Sequence, residues 1–170
     1  MKIAGMFLLL VMLCCDPAKE DCRLEFHKGT MSANIDGEVW SAYPYGQVTS
    51  IIAIRGNYYY EPTCRLQQIL SMKIPVKKKG VFEFAREVDL AENKASLLFT
   101  FIDVDEILAN YLIRDDKETG TIEITSYTED TGKITGTFNG IAYLDRNFGL
   151  ENPKDSLVIT NGQFETYFIE

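Results

Sequence analysis

Apolar and polar residues alternate along much of the chain beyond residue 30, and the clearest stretch is Gly120 to Leu144. Ile122 and Ile124 alternate there with Thr121, Glu123 and Thr125; Ile134 and Phe138 alternate with Thr135, Thr137 and Asn139. A period of two residues is that of a strand with one buried face. The intervening Thr128-Glu129-Asp130-Thr131-Gly132 predicts a longer hairpin loop, with Asp130 bonding its own backbone and Gly132 supplying a positive φ. A first hairpin is predicted at Asp36-Gly37, between Met31–Ile35 and Glu38–Trp40. Further strands are predicted over 48–57, 66–75, 80–88, 95–102 and 156–169, the last bulged at Asn161-Gly162. Leu70, Met72 and Ile74 share one inward face, as do Leu97, Phe99 and Phe101. Pro75 ends its strand. Between Asp103 and Tyr111 the pattern breaks, and Asp105 is placed to cap one or two helical turns, with an irregular connection as the alternative.

These elements predict an all-β fold: an antiparallel β-sandwich or partly open β-barrel of about nine short strands, with at most one short helix near 105–110. Strands do not alternate with helical stretches, so a parallel α/β sheet is not expected. A length of 170 residues, 46% of them hydrophobic and 12% aromatic, is one domain with material for a full core.

The first residues follow a different pattern. Lys2 precedes an apolar run, Ala4 to Leu13, too short to span a bilayer as a helix, which needs about 20 residues. The run stops at Cys14-Cys15 and gives way to Asp16-Pro17-Ala18-Lys19-Glu20-Asp21. This junction resembles the lipobox of bacterial lipoproteins, in which a cysteine is acylated and becomes the new N-terminus. The resemblance implies a signal peptide over 1–14, lipidation of Cys15 with Cys14 as the alternative, and a tether over 15–25; the strand pattern that follows reads as a single β domain over 26–170. A protein so built is held to a membrane by its lipid, in the cell envelope and at the outer membrane, on either face. The acids that follow the cysteine resemble signals by which some Bacteroidota send lipoproteins to the cell surface.

Charge narrows the partners. Lysine and arginine number 17 against 25 acids, a net charge of -8. Nucleic-acid binding needs clustered bases, and the one basic run, Lys77-Lys78-Lys79, reads as a solvated hairpin loop. In an oxidising compartment Cys22 and Cys64 are candidates for a disulfide that pins the start of the domain to a loop. No metal site is expected from one histidine and two distant thiols, and the acids of 103–106 and 115–118 lack EF-hand spacing. His27, the single histidine, reads as a surface side chain, and no nucleophile elbow, phosphate loop or dinucleotide fingerprint occurs. The expectation is a protein without cofactor and without catalytic activity.

Binding is the remaining role, and aromatic residues are its best candidates. Tyr58, Tyr59 and Tyr60 are consecutive, so one strand cannot turn all three inward. A tyrosine ring with its hydroxyl suits a sugar or a protein partner. Trp40 is expected to plug one end of the core, with an exposed stacking platform as the alternative. Taken together, 32–42, 120–125, 132–138 and 157–164 resemble a family of uncharacterised small lipoproteins from Bacteroidota. That resemblance implies a fold and no catalytic residue. Two roles follow: a binding module for a glycan, a small hydrophobic ligand or an envelope protein, or a structural or assembly subunit with no small-molecule site.

Overall fold

The structure, a computed structural model, describes residues 22, 24, 27–60, 63–75 and 78–169. The lipidation candidates Cys14 and Cys15, the leader and most of the tether lie outside the described residues, as does Lys77. Ten strands make up nearly all of the rest: β1 (Gly29–Ile35), β2 (Glu38–Val48), β3 (Ile52–Tyr60), β4 (Arg65–Ile74), β5 (Gly80–Ala85), β6 (Ala95–Asp103), β7 (Glu106–Leu112), β8 (Gly120–Thr128), β9 (Lys133–Asn147) and β10 (Ser156–Ile169). They form one sheet, not two stacked ones. The sheet runs β1-β2-β3-β4-β6-β7-β9-β10 and returns to β1, with β5 and β8 filling the wall between β6 and β9 beside β7. Ring closure gives each strand a partner on both edges over at least part of its length, which removes the exposed edges that invite aggregation.

Local chemistry explains the turns. Asp36 and Gly37 both adopt positive φ, 53° and 86°, as a two-residue hairpin turn requires. At the second hairpin the loop tightens into a single 3-10 turn over Glu129–Thr131, closed by Gly132 at φ 63°. The side chain that accepts there is that of Thr131, from the Lys133 amide at 3.3 Å, whereas Asp130 was the expected acceptor. The bulge in β10 lies where Asn161-Gly162 predicts it, with the register against β9 shifting between Ile159 and Gly162. A side chain on Gly162 would meet the Phe138 ring at 2.5 Å.

Two expectations change, and one open alternative is decided. The stretch 105–110 holds no helix: Val104 and Asp105 form a tight turn, Asp103 faces Glu106, and β7 begins at once. Val104 sits at φ 62°, costly for a β-branched residue, so the pairing of β6 with β7 overrides local preference. β4 and β5 are not paired with each other, β5 pairing instead with β6 and β8, so they are not the two arms of a hairpin. Two short parallel registers, Phe168 with Gly46 and Phe84 with Ala95, join an otherwise antiparallel sheet.

Inside the ring lie the alternating residues of all ten strands. Ile52, Ile54, Leu70, Met72, Ile74, Leu97, Phe99, Ile122, Ile124 and Ile134 are fully buried or nearly so. The interior is therefore filled along most of its length. It opens at the end where the Asp36-Gly37 turn and the connection 148–155 meet.

Candidate functional site

β2 and β3 supply the site because their two faces carry different aromatic clusters. Their ladder runs from Tyr43–Asn57 to Val48–Ile52, and Val39–Ala42 and Tyr58–Tyr60 extend beyond it. Tyr58 turns inward against the core, Tyr59 lies on the outer face, and Tyr60 is 49% exposed.

The inward cluster floors a cleft of about 350 Å³ at the open end of the ring. Trp40 is buried, and its indole N–H donates to Gln68 Oε1 at 2.8 Å, which fixes the ring and satisfies its polar atom. From Trp40 the rings continue as a row: Phe99 at 5.9 Å, then Phe101 at 5.3 Å from Phe99, then Tyr111 at 5.8 Å from Phe101. Successive planes are inclined by 58°, 60° and 63°, the near edge-to-face packing that aromatic quadrupoles favour. Tyr58, Ile35, Leu150 and Leu157 complete the apolar wall, and Asp36, Glu38, Gln68, Glu151, Asn152 and Lys154 provide the polar rim.

The connection between β9 and β10 forms the roof and is tied down at several points. Asn147 accepts from the amides of Gly149 and Leu150 at 3.2 and 2.9 Å. The Tyr111 hydroxyl donates to the Lys154 carbonyl at 3.0 Å, and burial pushes this phenol above the ordinary tyrosine value of 10.0. Lys154 Nζ reaches Asp36 Oδ2 at 2.7 Å, while Asp36 Oδ1 accepts from the Val158 amide at 2.8 Å. The hydrogen bond and ion pair with Asp36 hold the Lys154 ammonium above its usual range. Asp36 thus joins the first hairpin, the roof and β10.

The outward cluster is packed around a buried histidine. His27 is 3% exposed, not a surface side chain, and its ring centroid lies 5.8 Å from those of Tyr43, Tyr45 and Tyr59. Its Nδ1 accepts from the Leu24 amide at 3.1 Å, and Nε2 lies 3.3 Å from the Asn57 amide nitrogen. Burial pushes the Tyr59 phenol up, partly offset by its hydrogen bond with Asn57. Cys22 and Cys64 are joined in a disulfide with Cα atoms 5.1 Å apart, which fastens the segment before His27 to the turn after β3. A second groove of about 610 Å³ runs outside, lined by Thr30, Ser32, Ser41, Tyr43, Tyr59 and Tyr60 among others. It meets the cleft at Val39 and Tyr58, which line both.

Of the binding candidates, Trp40 and Tyr58 therefore share the cleft, whereas Tyr59 and Tyr60 face the outer groove. Phe99 and Phe101 were legible as one strand face but not as site residues, and Tyr111 was hidden in a stretch that resembled a capped helix. The signal for Tyr111 is the alternation Ala109, Tyr111, Ile113, all three buried. Among the described residues no three or more His, Cys, Asp or Glu side chains are grouped to hold a metal ion, and no helix is long and apolar enough to cross a membrane.

No curated protein and no solved structure matches the chain. A family does, over residues 27–166, which spans the domain from His27 into β10 and includes every residue that walls or rims the cleft. The chain belongs to the family described as a domain of unknown function, DUF6252.

Proposed function

We propose that this protein is a non-catalytic binding module of the cell envelope, which takes a small amphipathic ligand into the open end of its ring. The cleft of about 350 Å³ carries this reading: it lies within the size range of small-molecule sites, with aromatic walls and a few convergent polar groups. Tyr58 and Val39 lead from it to the outer groove, where a longer ligand such as a glycan finds hydroxyls and tyrosine rings. The single histidine, packed under three tyrosines on the outer face, does not line the cleft, which agrees with binding without acid–base chemistry.

A thermal-shift screen of short glycans, fatty acids, alcohols and alkylammonium salts tests the proposal. The expected result is a saturable rise in Tm with at least one class, lost in Phe101→Ala. A flat response across all classes overturns it.

Anchoring is part of the same reading, supported by the apolar leader that ends at Cys14-Cys15 and by the resemblance to small Bacteroidota lipoproteins. Replacing both cysteines by serine is expected to release the protein from the membrane fraction; a double variant that still pellets contradicts a lipid anchor. The assembly-subunit reading is favoured by one observation. Ile107 and Phe148 are 46% and 60% exposed, and the Phe148 amide donates to the Leu108 carbonyl, so the segments that carry these two apolar side chains adjoin. A reproducible protein partner from native envelopes, combined with a flat ligand screen, would select it.

A further inference from the structure

The charges around the cleft are unequal. Asp36, Glu38 and Glu151 lie on its rim against one base, Lys154. The Lys154 ammonium is engaged by Asp36 at 2.7 Å. Among the described residues neither Glu38 nor Glu151 has an ion-pair partner, and both are exposed at the mouth. Two exposed carboxylates thus stand at the mouth, with Glu38 close enough to Lys154 to act on its charge, above a cleft where Tyr58 and Phe101 are half-buried and Trp40, Phe99 and Tyr111 lie buried beneath. Ring faces carry the negative part of the aromatic quadrupole and attract cations, tryptophan most strongly.

We propose that the ligand of this cleft is an organic cation, a small molecule bearing an alkylammonium group. The inference rests on the cleft being the binding site. A carboxylate or phosphate ligand would meet Glu38 and Glu151 with no free base to compensate, since the one ammonium is already held. A neutral hydroxylated ligand could only share hydrogen bonds with these carboxylates, whereas a cation also balances their charge. An alkylammonium group satisfies both elements: its methyl groups pack against the rings, and its charge is balanced at the rim. The net charge of -8 adds a field that concentrates cations near the protein.

Trp40, the only tryptophan, makes the test direct, because its emission reports on the cleft. Choline is titrated against 3,3-dimethylbutan-1-ol, a neutral molecule of the same shape, and against hexanoate. The expected result is a saturable change in Trp40 emission with choline, at an affinity about tenfold above the neutral isostere, and weakened by added salt. The exposed pair Glu38→Gln and Glu151→Gln, made together, is expected to lower choline affinity several-fold with Tm unchanged. Equal binding of choline and its isostere, tighter binding of hexanoate, or choline binding indifferent to the double substitution overturns the cation assignment and leaves the cleft as a binding site. No response to these three compounds or to any class in the thermal screen overturns both.

Discussion

Tyr58 and Tyr59 are neighbours in one strand, yet they belong to two aromatic clusters with opposite fates. On the outer face, Tyr43, Tyr45 and Tyr59 close around His27, and a disulfide fastens the segment that brings the histidine there. On the inner face, Trp40, Tyr58 and Phe101 meet a roof that leaves about 350 Å³ unfilled. Composition does not separate the two, since both are rich in rings and both pair them with an amide side chain, Asn57 outside and Gln68 inside. What separates them is the segment laid across each. His27 inserts its ring into the outer cluster, whereas 148–155 arch over the inner one, pinned at Asn147 and Lys154. An aromatic cluster becomes a candidate site when its cover is attached at the ends and does not fill the middle.

The comparison can be broken or sharpened in order of expected effect. Phe99 is fully buried beneath the cleft, so Phe99→Ala should cost about 3–5 kcal/mol in chemical denaturation and also disturb Trp40 emission. A small loss would mean that the floor is looser than its packing implies. Next, Cys22→Ser with Cys64→Ser should cost about 2–4 kcal/mol by releasing a constraint on the unfolded chain. It should make His27 reactive toward diethylpyrocarbonate while Trp40 emission stays unchanged. If Trp40 responds as strongly as His27, the two clusters are one unit and the contrast fails.

Tyr111→Phe removes one roof contact, the hydrogen bond to the Lys154 carbonyl, and should cost about 1 kcal/mol. Faster amide hydrogen exchange should appear in 148–155 and not around His27. The smallest effect is alkaline. Burial raises the phenols of Tyr59 and Tyr111 above 10.0, so the unfolded chain ionises before the folded one. Stability contributed by their neutral forms is therefore complete below pH 10 and lost as pH rises through the raised values. Tyr59→Phe and Tyr111→Phe should each flatten that decline in pH-dependent denaturation, one from each cluster; an unchanged slope in both would contradict the burial of these hydroxyls.

Much of the fold was legible because strand signals are local. Alternation at 120–125 and 134–138, Asp36-Gly37 and the bulge at Asn161-Gly162 each depend on a few adjacent residues. The β6–β7 turn was not legible, since Asp105 carries a capping signal and Val104 disfavours the positive φ it adopts. That conformation follows from pairing across the whole of β6 and β7, where Thr100 donates to Asn110 at 3.0 Å on facing strands. Two of the named aromatics reached the cleft, because consecutive tyrosines force at least one ring off the common face. Its far wall was not readable: Phe99, Phe101, Tyr111 and Lys154 meet Trp40 only through ring closure, and no short-range pattern encodes which strands become neighbours. His27 was misread for a related reason, since burial outside a sheet depends on which segment crosses it.

The most direct test uses the single indole N–H of Trp40 in a 15N heteronuclear NMR spectrum, recorded while adding the compound that most raises Tm in the thermal screen. The account requires the indole peak to shift and saturate together with amides of Gln68, Phe101 and Lys154, while the His27 ring signals stay in place. Movement of His27 and Tyr59 with the Trp40 indole unmoved would place binding on the outer face and contradict it.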